Sequence, residues 1–139
     1  MIELTSDADF RRAWPVMAEL RTDLDETAYM DLLASMRPDG YRLFAIEADG
    51  DIQALAGISI GTNFYYRRYL WVYDLITTEV ARSSGHGAAL MGELERFARD
   101  EGCDTIALAS GLQRRDAHRF YEDRLGYKRA SYTFHKTLD

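Results

Sequence analysis

Leu70-Trp-Val-Tyr-Asp-Leu-Ile-Thr-Thr-Glu-Val-Ala-Arg-Ser-Ser-Gly-His-Gly-Ala-Ala-Leu90 is the stretch whose reading decides the fold. Its first half is apolar and β-branched, as in a buried strand. A short basic turn holding Gly85 and Gly87 follows, and an amphipathic helix leaves directly from it. Two glycines let the backbone curl so that successive N–H groups from Arg82 to Ala88 converge beside the positive end of a helix. Such a spot suits phosphate. Arg82 and His86 flank it, and an arginine can fork two donors onto phosphate oxygens.

Two familiar nucleotide loops do not fit. Gly85-His86-Gly87 begins a dinucleotide fingerprint, but Ala88, Ala89 and Leu90 follow, so the third glycine is missing. No Lys-Ser/Thr pair closes the loop as a P-loop requires.

The surrounding chain limits the alternatives. Its 139 residues suffice for one domain, residues 1–139, with a single core. Apolar residues make up 47% and charged residues 29%, an ordinary globular composition. The net charge of −6 disfavours nucleic acid, which needs a basic face, and mildly favours cationic small substrates. Met1-Ile-Glu-Leu-Thr-Ser-Asp7 has no basic region leading into an apolar run, and no stretch reaches the ~18 apolar residues of a membrane span. A single cysteine, Cys103, allows no internal disulfide, which is consistent with a reducing, cytoplasmic setting. His86, His118 and His135 share no ligand spacing with one another or with Cys103, so no metal site is expected.

Local patterns predict the element order α-α-β-β-β-α-β-α-β, with a short leading strand at residues 2–4. Ser6 or Asp7 caps a helix with the stripe Phe10, Ala13, Trp14, Met17 and Leu20, and Pro15 predicts a kink or a later start. A second helix from Asp25 carries Tyr29, Leu32, Leu33 and Met36 and stops at Pro38-Asp39-Gly40. Asp49-Gly50 joins strands 41–48 and 52–60 as a hairpin. An aromatic-basic patch, Phe64–Tyr69, precedes the strand at 70–78, and a helix follows from about Gly85 to Asp100. Then come a strand at 105–109, a helix ending at Gly126, and a last strand at 128–136. Early hairpins and late β-α-β units imply an α+β fold with a mixed sheet.

Arg82-x-x-Gly85-x-Gly87 after a strand resembles the acetyl-CoA pyrophosphate loop of the GNAT superfamily of N-acetyltransferases. Ala117-His-Arg-Phe-Tyr-Glu-Asp-Arg-Leu-Gly-Tyr127 resembles that family's last helix, A-x-x-x-Y-E-x-x-G-[FY] with small length variation. The two motifs stand in the family's order, and the element order matches it from end to end. The resemblance implies a GNAT-like fold: a mixed, partly splayed sheet of six to seven strands flanked by about four helices. A homodimer through the late strands would be ordinary for such a protein.

The resemblance also implies residue roles. The pyrophosphate of acetyl-CoA, the acetyl donor that leaves as CoA, would sit on backbone amides of Ser84, Gly85, His86, Gly87 and Ala88. Arg82 and Ser83 open that loop. Backbone groups of Ile76, Thr77 and Thr78 would pair with the pantetheine arm as an added half-strand. Tyr121 falls where many members carry a tyrosine that protonates the departing thiolate. Seven residues earlier, where many relatives have Asn, this chain has Arg114, which either reaches a cofactor phosphate or faces solvent. His118 is a helix-packing histidine or a proton shuttle. Asp74, in the middle of the fourth family strand, is the leading general base, with Glu79 and Glu47 as rivals. A backbone N–H near Ile76 would polarise the thioester oxygen.

The function expected is acetyl transfer from acetyl-CoA directly onto the primary amine of a small molecule. The first two helices, Phe64–Tyr69 and the last strands would wall the acceptor. Asp23, Asp25 and Glu26 would attract an ammonium, or Arg67 and Arg68 would grip an acid. The alternatives are a protein or peptide N-acetyltransferase, or a non-catalytic acyl-CoA-binding module.

Overall fold

The computed structural model describes residues 1–82 and 84–139, which cluster into two compact units, 1–107 and 108–139. Its strands are β1 (Ile2–Leu4), β2 (Arg42–Ala48), β3 (Asp51–Asn63), β4 (Arg67–Thr77) and β5 (Thr105–Leu108), in spatial order β1-β2-β3-β4-β5. Its helices are α1 (Asp7–Leu20), α2 (Glu26–Met36), α3 (His86–Asp100) and α4 (Arg115–Arg119). The first four strands pair antiparallel. The crossover through α3 makes β5 a parallel neighbour of β4, so the sheet is mixed.

Local chemistry explains these boundaries. Ser6 caps α1 by accepting from the Asp9 amide, and Asp25 caps α2 by accepting from the Ala28 amide. Pro15 lies inside α1, which continues past it to Leu20. Asp49 and Gly50 both take positive φ, the conformation that a two-residue hairpin turn demands. The β3–β4 hairpin extends further than its apolar pattern suggests. Thr62 and Asn63 still pair, with Arg68 and Arg67, and only residues 64–66 form the loop.

One sheet face buries Leu4, Leu43, Ala45, Leu55 and Ile76 against Phe10, Ala13 and Met17 of α1 and Leu33 of α2. Phe44, Ala56, Ile58, Leu70 and Val72 alternate onto the other face, where Leu90, Met91 and Leu94 of α3 are fully buried. Phe44 and Phe97 stack there at 5.4 Å.

In the second unit α4 runs into a single π-type turn, Phe120–Arg124, and Gly126 follows at φ +75°. The strand expected at 128–136 does not form, so the described sheet has five strands, not six or seven. Alternating Tyr132 and Phe134 suggest one buried face, but both are exposed and no strand pairs with the segment. A strand exists through its ladder, and among the described residues this segment has none.

Candidate active site

β4 builds the centre of the first unit. Its register against β3 slips between Gly57↔Asp74 and Ile58↔Val72, leaving Tyr73 as an extra residue. Such a bulge turns consecutive side chains toward the same face. Tyr73 and Asp74 accordingly both line one cavity of about 230 Å³ under α1 and α2. Met17, Leu24, Leu32, Leu33 and Met36 supply its apolar wall. Tyr29, Tyr41 and Tyr73 add rings, and Arg21 completes the lining beside Asp74.

Asp74 is the buried acidic residue of this unit, 8% exposed. Arg21 donates to its Oδ1 from Nε at 3.0 Å and from Nη2 at 2.6 Å. Tyr41 donates to Oδ2 at 2.6 Å. A carboxylate has about four acceptor positions, so three donors leave room for one more partner. A buried charge needs such compensation, because an unpaired one costs several kcal/mol (roughly) in desolvation. Burial, then the negative charge of Asp74, pushes the Tyr41 phenol well above its ordinary pKa, so it stays a donor. Burial likewise raises Tyr29, whose hydroxyl donates to the Phe10 carbonyl at 2.8 Å and ties α2 to α1 behind the cavity.

Gly57 makes the Tyr41–Asp74 bond sterically feasible. It sits on the middle strand, between the strand that Tyr41 precedes and the strand that carries Asp74, and the phenol crosses directly over it. A Cβ there would lie 1.8 Å from the Tyr41 oxygen and 2.7 Å from Asp74 Oδ2. Neither Arg21, Tyr41 nor Gly57 was singled out by sequence motifs. An isolated glycine inside the apolar run 52–60 was the available signal, since it marks a close approach.

The rival bases are engaged or displaced. Glu47 accepts from Arg12 of α1, and Glu79 lies exposed in the loop after β4. Asp25 is spent on capping α2. The Phe64–Tyr69 patch does not line the Asp74 cavity. Its aromatic tip is eight strand positions from Asp74, roughly 25 Å along β4, and Phe64 projects fully into solvent. Arg68 instead bonds the Glu101 carbonyl and, through its amide, Asp104.

Past Asp74, Ile76 shares the helix-covered face. β5 starts beside Arg68, where the Asp104 amide donates to the Arg68 carbonyl, and its four residues run out well before Ile76 and Thr77. Thr78 bonds the Gln53 carbonyl through its amide, and Glu19 of α1 anchors the Glu79 amide at 2.9 Å. Glu19 also stands 3.9 Å from Arg82. Gly85 is the N-cap of α3 at φ +80°, with no side chain capping the helix. The Ser84 amide closes a turn onto Ala81, and the first intrahelical bond is from Ala89 to Gly85. His86, Gly87 and Ala88 precede that bond, so their amides have no intrahelical acceptor. Ser83 lies outside the described residues. An open, positively polarised amide cluster of this kind fits a pyrophosphate.

In the second unit, burial raises the Tyr121 phenol, and the positive charge of Arg114 partly offsets this. These two predicted residues therefore sense one another. Tyr121 lies on the π-type turn and meets Tyr127 ring to ring at 6.1 Å. His118 Nε2 donates to the Gly111 carbonyl at 2.9 Å, a structural tie.

The family model described as the acetyltransferase (GNAT) family matches residues 7–127. The chain belongs to the GNAT acetyltransferase family. It is 40% identical to the uncharacterized N-acetyltransferase YhdJ of Bacillus subtilis, over 99% of this chain and 98% of that one. It is 30% identical to the aminoalkylphosphonate N-acetyltransferase of Salmonella typhimurium, over 86% of this chain and 78% of that one. The structure of AAC(6')-Iy in complex with a bisubstrate analog shares the fold at TM-score 0.84 and 13% identity, covering 99% and 96% of the two chains. A transcriptional regulator from Bacillus halodurans shares it at 0.81 and 20%, covering 99% and 100%. This GNAT member is thus an acyltransferase of the N-acetyltransferase type with the α+β fold of its family. Among the described residues no three His, Cys, Asp or Glu side chains gather as a metal site, and no helix is long and apolar enough to cross a membrane.

Proposed function

We propose that this chain moves the acetyl group of acetyl-CoA onto the primary amine of a small molecule seated in the cavity above Asp74. The observation that carries this reading is a compensated, buried carboxylate at the edge of an apolar cavity. It stands two residues before Ile76 on the strand that leads to an uncapped helix. When bound, acetyl-CoA supplies an activated thioester carbon. Amides of Ser84 to Ala88, with Arg82, hold its pyrophosphate, and backbone groups of Ile76, Thr77 and Thr78 line its arm. Arg114 adds positive charge.

The amine must attack as its neutral form. Asp74 takes the amine proton through its remaining acceptor position, while Arg21 and Tyr41 keep the carboxylate oriented. The backbone N–H near Ile76 steadies the oxygen as the nitrogen–carbon bond forms. The Tyr121 phenol, held protonated by burial, gives its proton to the sulfur as the carbon–sulfur bond breaks. Burial also raises the Cys103 thiol, which disfavours a covalent relay through that residue. A cavity of about 230 Å³ is smaller than the usual site for a drug-sized ligand, which favours a small acceptor over a peptide.

A thermal shift with acetyl-CoA tests the donor site. At 100 times its dissociation constant a ligand stabilises by about 2.7 kcal/mol. Gly85→Glu places a carboxylate where no protein atom lies within 4 Å of the new Cβ, so it blocks phosphate without a side-chain clash, and the backbone strain at φ +80° is read separately from the melting temperature of the ligand-free variant. Stabilisation of the wild type, lost in Gly85→Glu, is expected. Equal stabilisation of both proteins would remove the phosphate role from this loop.

A further inference from the structure

The chemistry of the cavity lining specifies the acceptor more narrowly, given the reading of that cavity as the acceptor site. The geometry points to a primary monoamine with an apolar alkyl or arylalkyl body and no second charged group. Leu24, Leu32, Leu33 and Met36 present only carbon and sulfur to the space, and Tyr29 presents its ring because its hydroxyl is committed to Phe10. The charged groups of the lining are Arg21 and Asp74, and they are bonded to each other. Their charges cancel.

A second cation, as on a polyamine or an aminosugar, would therefore meet no free carboxylate in the lining. An acidic group, as on an amino acid or aminoalkylphosphonate, would compete with Asp74 for Arg21, whose Nε and Nη2 are already engaged, and would find only the remaining Nη1 donors. A hydrocarbon body meets neither obstacle and gains from leaving water. Size agrees. A cavity of about 150 Å³ accommodates benzene, so 230 Å³ suits about nine non-hydrogen atoms on the same scale, as in 2-phenylethylamine. The amine end would point to Asp74, the carboxylate of the lining, which keeps one acceptor position open.

The test compares 2-phenylethylamine and hexylamine with spermidine and 2-aminoethylphosphonate, as kcat/KM for thiol release from acetyl-CoA. A parallel arm measures 2-phenylethylamine binding by saturation-transfer NMR. The wild type is compared with Leu32→Glu. Leu32 is 48% exposed at the rim, so a charge there is tolerated by the fold. The expected result is at least a tenfold preference for the apolar amines. Leu32→Glu should lower their kcat/KM about tenfold and shift relative preference toward spermidine. Equal or better turnover of the charged amines would overturn the apolar class while leaving acetyl transfer intact. Absence of both turnover and binding of 2-phenylethylamine would overturn it as well. Binding that Leu32→Glu weakens, without turnover of any amine, would support the apolar class and count against acetyl transfer.

Discussion

Replacing Gly57 by alanine should disable the carboxylate of Asp74 without touching it. The added Cβ falls 1.8 Å from the Tyr41 hydroxyl and 2.4 Å from its Cζ. Real Cβ atoms do not approach so closely, so the phenol must leave. It then forfeits its 2.6 Å bond to Asp74, a charge-assisted contact worth about 1.5–3 kcal/mol. Forcing an extra methyl into the packed layer costs a further ~1–3 kcal/mol. The stiffer alanine backbone returns ~0.5–1 kcal/mol. A net loss of about 2–5 kcal/mol follows. Urea denaturation of Gly57→Ala, Tyr41→Phe and the double variant separates the terms. Tyr41→Phe alone should cost about 1.5–3 kcal/mol, because it leaves Oδ2 short of a donor. In the Gly57→Ala background the same change should cost under ~0.5 kcal/mol, since the bond is already broken. The Cζ contact at 2.4 Å displaces the ring with or without its hydroxyl. Additive losses, or a Gly57→Ala protein as stable as wild type, would refute this account of Gly57.

Tyr121→Phe should lower turnover while the acetyl-CoA thermal shift is retained; unchanged turnover removes the phenol from the mechanism. Gly85→Ala should destabilise by about 1–2 kcal/mol in chemical denaturation, because only glycine adopts φ +80° without strain. A loss below ~0.3 kcal/mol would mean the loop relaxes. Burial keeps Tyr29 and Tyr41 protonated well past the ordinary phenol range. Their contribution is therefore intact below about pH 10 and is lost above it, because the unfolded chain releases protons that the native state retains. Tyr41→Phe should flatten the alkaline decline in stability, and an identical decline in both proteins would contradict the burial argument.

What could be read from the sequence was local. Arg82–Gly87 declares itself because glycine spacing and a following amphipathic helix are properties of adjacent residues, and Gly85 does cap α3 with a positive φ. Asp49-Gly50 is legible for the same reason. The environment of Asp74 is not. Its partners Tyr41 and Arg21 stand 33 and 53 residues away in sequence, joined only when three strands and the end of α1 come together. The bulge that turns Tyr73 beside Asp74 leaves no signature in an apolar run. The place of the Phe64–Tyr69 patch is not legible either: composition attracts attention to it, but strand register carries it to the far end of β4 from Asp74. Residues 128–136 alternate as a strand does, yet alternation reports a preference for a two-faced environment and cannot supply the pairing partner.

The most direct test of the central claim is the fate of the amine. Wild type and Asp74→Asn would each be incubated with acetyl-CoA and a panel of primary amines. Acetylated amine would be followed by mass spectrometry alongside released thiol, across pH. The account predicts one acetylated amine per thiol released by the wild type. It also predicts turnover lower by ~10²–10⁴ in Asp74→Asn, with acetyl-CoA binding retained. No acetylated amine from a wild-type protein that binds acetyl-CoA, or an Asp74→Asn pH–rate profile that overlays the wild type, would contradict it.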